Sequence, residues 1–288
     1  MDINSDGHLD ILSGSYSRME QAMAGLFQVL YGNPDRTFRK ARVLNGTDGQ
    51  PLIIPIQGEE QQTENICTRP FAVDWDADGH LDLVVGNFAG TFYWFKGEGE
   101  GKFQPKPQAI KSGEQPLKIE GAHSDPFAID WDGDGDLDLL CGSSSGGVQL
   151  AENHAGKGKL PELHPFQWLI QPGRAVAYGQ PLNEEQLNGP TTSTRVWADD
   201  VNGDGKLDVL VGDSVTLVSP AKGLTEEAFT EKLAAWQEAS AKVSKEMSQA
   251  TDPAKRRDAQ QAYQKLYEKR EEFMKEDRTG FVWLYLQR

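Results

Sequence analysis

One nine-residue acidic pattern occurs four times in this chain, and each copy runs directly into a short apolar segment. The pattern is Asp, any residue, Asp or Asn, any residue, Asp, Gly, any two residues, Asp. Its copies begin at Asp2, Asp74, Asp130 and Asp200 and end at Asp10, Asp82, Asp138 and Asp208. The segments that follow, LDILSG, LDLVVG, LDLLCG and LDVLVG, are aliphatic runs closed by a glycine and read as buried strands. Whatever the chain folds into must build the same loop-and-strand unit four times.

The spacing suits a hard cation. Side-chain oxygens at loop positions 1, 3, 5 and 9, with the carbonyl of position 7, supply the oxygen shell that Ca²⁺ takes. The glycine at position 6 (Gly7, Gly79, Gly135, Gly205) permits the sharp turn around an ion. An EF-hand shares positions 1, 3, 5 and 6 but needs a bidentate Glu at position 12. Ser13, Val85, Cys141 and Val211 stand there, so an EF-hand is excluded. Asp, Asn and Gly also cluster in ordinary turns that bind nothing. A turn, however, has no need of four acidic copies in one fixed register.

The repeat is larger than the loop. Apolar stubs precede three copies (PFAVDW at 70–75, PFAIDW at 126–131, RVWADD at 195–200). Further strand-like segments follow at 25–32, 90–97, 146–153 and 280–287. A fourth strand is expected in TFRKARVL at 37–44 and KFQPKPQAI at 102–110. Each unit therefore predicts a four-stranded antiparallel blade, which must stack on neighbours to bury both faces. Loop starts lie 72, 56 and 70 residues apart (74−2, 130−74, 200−130), a blade-sized period.

These loops and flanking strands resemble the FG-GAP and VCBS-type repeats, the calcium-loop blades also found in integrin α heads and in many bacterial secreted proteins. The resemblance covers residues 2–32, 70–103, 126–153 and 195–218. It implies an all-β fold, a β-propeller of four recognisable and partly incomplete blades, holding up to four Ca²⁺. It places side-chain ligands at Asp2, Asn4, Asp6 and Asp10, at Asp74, Asp76, Asp78 and Asp82, at Asp130, Asp132, Asp134 and Asp138, and at Asp200, Asn202, Asp204 and Asp208. The carbonyls of His8, His80, Asp136 and Lys206 would complete the shells. The His8 and His80 rings face solvent in this reading, because Lys206 holds the same position in the fourth copy. The resemblance also implies a secreted or otherwise extracytoplasmic setting.

Two departures from the repeat pattern stand out. The first copy begins at Asp2 with no strand before it, and the last strand-like segment ends at residue 287. The expectation is therefore of a fragment, with blades and any signal peptide upstream. The second departure is residues 224–278, where Leu224 and Phe229 flank a Thr225 cap and Asp252-Pro253 opens another helix. Phe229, Leu233, Trp236, Val243 and Met247 follow alternating steps of four and three across Ser240, with Tyr263, Leu266 and Phe273 as partners. This predicts an antiparallel helical hairpin at 224–278, inserted between the second and third strands of the last blade. The blades then occupy 1–223 and 279–288.

Charge follows the loops. The formal net charge is −15. The hairpin holds 11 Lys and Arg against 12 Asp and Glu, so it contributes −1 and the remainder −14. Fourteen of the sixteen side-chain ligands are carboxylates, and four Ca²⁺ would return +8, leaving −7. Nucleic acid and anionic membrane surfaces are poor partners for such a chain. No 18-residue apolar span is present, and Cys67 and Cys141 read equally as free thiols or one disulfide.

The sequence lacks a zinc or nucleophile-elbow motif, and its five histidines (8, 80, 123, 154, 164) read as ordinary loop residues. The run Phe92 to Phe95 offers a sugar platform or, since alternation splits it between two faces, packing between blades. The leading functional reading is a calcium-stabilised, non-enzymatic adhesion or ligand-binding module for a protein or carbohydrate. A calcium-dependent polysaccharide lyase and a scaffold acting through the hairpin are the alternatives.

Overall fold

The computed structural model describes residues 1–16, 24–56, 63–174, 176 and 180–288. Residues 17–23, within the 2–32 stretch read above as part of the first repeat, lie outside the described residues. The fold is mostly antiparallel sheet with two helices. The first repeat gives β1 (Ile11–Ser13), β2 (Gln28–Leu30) and β3 (Arg42–Val43) in sequence order. The second gives β4 (Arg69–Val73), β5 (Asp82–Gly86), β6 (Phe92–Phe95) and β7 (Gln108–Ala109), followed by a two-stranded ribbon of β8 (Lys111–Ser112) and β9 (Gln115–Pro116). The third gives β10 (Asp125–Ile129), β11 (Asp138–Gly142), β12 (Val148–Ala151) and β13 (Gln167–Ile170). The fourth gives β14 (Thr192–Asp199) and β15 (Asp208–Pro220), with β16 (Met274–Thr279) and β17 (Val282–Tyr285) both paired to β15.

Registers repeat from sheet to sheet. Val73 faces Asp82, Ile129 faces Asp138 and Asp199 faces Asp208, so the second, third and fourth loops are each closed by a pair at the same position. The expected fourth strands are present but short, β3 within 37–44 and β7 within 102–110.

The aliphatic runs of the second and third repeats are buried on both faces, which is why they read as continuous rather than alternating apolar segments, whereas Ile11 of the first is exposed and Leu210 of the fourth half-buried. In β5, Leu83 and Val85 enter a core with Phe27, Val29 and Ile54 of the first repeat, while Val84 turns to Leu139 and Cys141 of the third. Leu140 of β11 turns the other way, to Val209 and Val211 of the fourth. The aromatic run splits as period-2 alternation requires: Phe92 and Trp94 lie on the face toward the third repeat, Phe95 on the face toward the first.

The glycine that ends each aliphatic run explains the close approach of successive sheets. A Cβ on Gly86 would lie 2.2 Å from the Ser124 carbonyl oxygen, and one on Gly142 would lie 2.3 Å from that of Thr194. The hydroxyls of Thr68, Ser124 and Thr194 accept from the N–H groups of Ser15, Asn87 and Ser143, the residues just after the glycines. Gly212, the fourth member, has nothing within 4 Å of such a Cβ. Gly86→Ala should therefore force two backbones apart and cost about 1–3 kcal/mol or more, while Gly212→Ala should be near neutral. Urea unfolding of the two variants checks the contrast.

Two compact units emerge. Residues Met1–Gly173, Gly189–Ser214 and Phe281–Arg288 form one, and Arg174–Asn188 with Val215–Gly280 form the other. β15 runs through Gly212 for 13 residues in all, where the sequence reading ends the strand at the glycine. The alternation of SVTLVS carries it on, and its distal half pairs with β16 as a ribbon. In the second unit this ribbon carries α1 (Glu226–Gln249) and α2 (Pro253–Lys269). Thr225 and Asp252 cap the two helices by accepting from Ala228 N–H and Ala254 N–H. Trp236 Nε1 donates to the Leu266 carbonyl at 2.8 Å. Trp236 stands 13 residues before the end of α1 and Leu266 stands 13 after the start of α2 (249−236, 266−253), the pairing of antiparallel helices. Phe229, Leu233, Trp236, Phe273, Met274 and Val218 form the core of this unit. Val243 and Met247 are only half-buried, so the apolar stripe does most of its packing in the first half of α1.

Candidate metal centre

The four acidic loops share one hydrogen-bond scheme. At position 1, Asp2, Asp74, Asp130 and Asp200 each accept through Oδ2 from the N–H of the position-6 glycine, at 2.8, 2.9, 3.0 and 2.9 Å. At position 5, Asp6, Asp78, Asp134 and Asp204 each accept from the N–H of position 7, at 3.0, 2.9, 3.0 and 2.9 Å. The backbone must therefore curl twice into the left-handed region. Position 4 does so as Ser5, Ala77, Gly133 and Gly203 (φ 59°, 59°, 80° and 77°) and position 6 as Gly7, Gly79, Gly135 and Gly205 (φ 86°, 90°, 92° and 85°). Only the second of these φ values demands glycine in every copy, because φ near 60° is open to other residues at modest cost.

Position 9 has a different task. Asp10, Asp82, Asp138 and Asp208 are buried, and each accepts through Oδ2 from the position-2 N–H of its own loop (Ile3, Trp75, Trp131, Val201). Through Oδ1 each accepts from the residue two beyond the end of the third strand: Gly32, Gly97, Asn153 and Gln287. One carboxylate thus closes the loop on itself and ties it to the sheet. Burial pushes Asp82 up to about 6 against the lowering pull of the Gly97 and Trp75 N–H groups. Burial likewise raises Asp138 and Asp136.

The loops differ at positions 3 and 5. In the first and fourth, the amides of Asn4 and Asn202 donate to Asp6 and Asp204 at 3.1 Å, and the Asn4 bond leads the causes that hold Asp6 below the usual carboxylate range. In the second, Lys96 Nζ bridges Asp76 and Asp78, at 2.7 Å from the latter, and lowers Asp78. The residues at the corresponding place in the other sheets, one before the N–H donors just named, are Tyr31, Glu152 and Leu286, none of them cationic. In the third loop Asp132 and Asp134 have no such bridge among the described residues, and Asp136 is turned inward beside them.

The fit to a hard cation follows from the oxygens left over. Carboxylate oxygens of Asp74, Asp76 and Asp78, and of Asp130, Asp132 and Asp138, lie within 4.8 Å of one another. Asp76 Oδ1 and Asp136 Oδ1 are buried with no hydrogen-bond partner. Clustered carboxylate oxygens, with a buried acceptor in the same loop that no donor satisfies, are what an oxygen-seeking cation such as Ca²⁺ completes. The Asp136 side chain was missed by sequence reasoning, which used only its carbonyl; the signal was an acidic residue at a position held elsewhere by His8, His80 and Lys206. His8 is half-buried and His80 exposed. The other histidines do not converge: His154 stacks on His164 at 4.4 Å, while His123 lies against Phe88. Cys67 and Cys141 are free thiols, and burial raises both.

The model of the FG-GAP-like repeat matches residues 74–141 and 130–211, which takes in the second, third and fourth loops. Comparisons with curated proteins and with solved structures gave no match. Residues 74–211, then, are FG-GAP-like repeats.

Proposed function

We propose that this chain is a set of β-propeller blades, at 1–223 and 279–288 with a helical insert at 224–278, whose acidic loops bind Ca²⁺ and which serves as a non-enzymatic adhesion or ligand-binding module. The observation that carries the metal reading is the pair of buried, unpartnered carboxylate oxygens on Asp76 and Asp136, one in the second acidic loop and one in the third. Asp74, Asp76 and Asp78 would hold the ion in the second loop, and Asp130, Asp132, Asp134 and Asp136 in the third. Asp2, Asn4 and Asp6 and Asp200, Asn202 and Asp204 would do so in the first and fourth, with the carbonyls of His8, His80 and Lys206 and the position-9 carboxylates completing the shells. Bound calcium supplies charge neutralisation and fixes loop shape; it has no reacting role here.

The ligand-binding reading is supported by the repeat family, which is associated with protein ligands and an extracellular setting. No helix among the described residues is long and apolar enough to cross a membrane. The test is an array of extracellular proteins and glycans probed with the chain in calcium and in chelator. Calcium-dependent retention without turnover is expected, and a calcium-dependent unsaturated glycan product would overturn the non-enzymatic reading.

Lys96 makes the second loop unlike the rest. Its ammonium already stands between Asp76 and Asp78, so an arriving ion must displace it. Lys96→Met should tighten calcium binding at that loop several-fold, on the order of 1 kcal/mol for a partly exposed charged pair. It should also weaken the calcium-free protein, because two carboxylates then face each other unbridged. Calorimetric calcium titration of the variant and the parent chain reads the first effect and chemical denaturation in chelator the second; unchanged affinity would rule out displacement.

A further inference from the structure

Outside the acidic loops, one residue from the same register position of three successive sheets comes to a single open cavity of about 410 Å³. Arg69 pairs with Gly86, Asp125 with Gly142 and Arg195 with Gly212, so the three side chains start from equivalent points of β4, β10 and β14. Leu12, Tyr16 and Pro70 contribute to the same wall. Arg195 Nε meets Asp125 Oδ2 at 3.0 Å, and its Nη1 donates to the Thr194 carbonyl at 2.9 Å. Arg69 Nη1 donates to the His123 carbonyl at 2.8 Å, and no carboxylate among the described residues lies in ion-pair range of Arg69. The Nη2 group of each guanidinium has no partner among the described residues.

Among the described residues, two guanidinium groups and one carboxylate leave the cavity with one uncompensated positive charge, in a chain whose net charge is −15. Desolvation and then the neighbouring Arg195 both act against the charge on Arg69, the condition that an added anion relieves. A single negative charge balances the site. A dianion would overshoot and meet Asp125. The planar fork of guanidinium matches a carboxylate bidentately, and Leu12, Tyr16 and Pro70 offer a short carbon body an apolar patch within a mostly polar lining, which a bare inorganic ion would not use.

We propose that Arg69 and Arg195 form a binding site for the carboxylate of a small organic monoacid. Arg69 supplies the unpaired charge, and Arg195, held by Asp125, supplies a second set of donors. The site is independent of the calcium reading, since none of these residues belongs to an acidic loop.

The test titrates the full chain, in calcium throughout, with sodium acetate and sodium propionate replacing chloride at constant ionic strength, and with inorganic phosphate as comparator. Thermal unfolding should shift upward and saturate with either monoacid. Half-saturation should move at least tenfold higher in Arg69→Gln and by less in Arg69→Lys, which keeps the charge but loses the fork. Saturation transfer from protein to the acetate or propionate protons of the parent chain gives an independent readout that needs no variant. A response that does not saturate, a response equal in Arg69→Gln, or phosphate binding as tightly as acetate would each overturn the proposal.

Discussion

Asp82→Ala is expected to lower the unfolding free energy by about 2–6 kcal/mol, because it strands two buried N–H donors at about 1–3 kcal/mol each. Asp82 is 0% exposed, and its two oxygens accept from Trp75 N–H at 2.9 Å and Gly97 N–H at 2.6 Å. Asp82→Asn keeps one acceptor oxygen and turns the other end into a donor facing a donor, so it should recover less than half of the loss. The effect does not depend on metal, since the bonds are to backbone. Chemical denaturation of both variants in chelator isolates it. A loss below about 0.5 kcal/mol for Asp82→Ala would mean that the carboxylate is not the clip between loop and third strand. The same clip is repeated by Asp10, Asp138 and Asp208, and the alanine variants of all four should behave alike in kind.

That clip shows what could and could not be read from the chain. The nine-residue register located every acidic loop, because the Asp-to-backbone bonds that shape such a loop are local, spanning two to five residues. The aliphatic runs located the central strands, because a strand buried on both faces carries no alternation to confuse with a helix. The role of position 9 was written less openly. Position 3 accepts either acid or amide (Asn4, Asp76, Asp132, Asn202) whereas position 9 is Asp in every copy, as a residue that must accept two N–H bonds would be. A second trace was present too: Thr68, Ser124 and Thr194 each stand six residues before their loops (74−68, 130−124, 200−194), at the hydroxyl that meets the previous sheet's glycine end. Lys96 and the Arg69, Asp125 and Arg195 cluster left no such trace. Their partners lie 18 to 70 residues away, and although Arg69, Asp125 and Arg195 share one register position, its change of charge sign from copy to copy gives periodicity no constant residue type to report. The continuation of β15 past Gly212 was hidden for a related reason, since a glycine that ends the strand in three sheets has nothing to meet in the fourth.

Calcium should raise the midpoint of thermal unfolding well above that in chelator. Without metal, the third loop holds Asp130, Asp132, Asp134 and Asp136 with no bridging cation among the described residues, and the buried Asp136 Oδ1 goes unsatisfied. At free calcium about 100 times the dissociation constant, each filled site contributes about 2.7 kcal/mol if the unfolded chain does not bind. For a chain of this size each kilocalorie moves the midpoint by about 2–4 °C, so one site should shift it by about 5–10 °C and further sites should add to that. The third loop should fill first and the second should lag, because Lys96 neutralises it from within. Asp134→Asn with Asp132→Asn should therefore remove more of the shift than Asp76→Asn with Asp78→Asn. Acidity works against the ion. Burial places Asp82 at about 6 and raises Asp136 and Asp138, so in the metal-free fold these groups hold protons that the unfolded chain has released. Their charge costs stability as pH rises through that window, and calcium offsets the cost by taking the charge. The calcium-dependent part of the shift should accordingly be largest above pH 6 and shrink toward pH 4. Scans in calcium and in chelator across that range decide the matter, and equal midpoints at every pH would remove metal from the loops altogether.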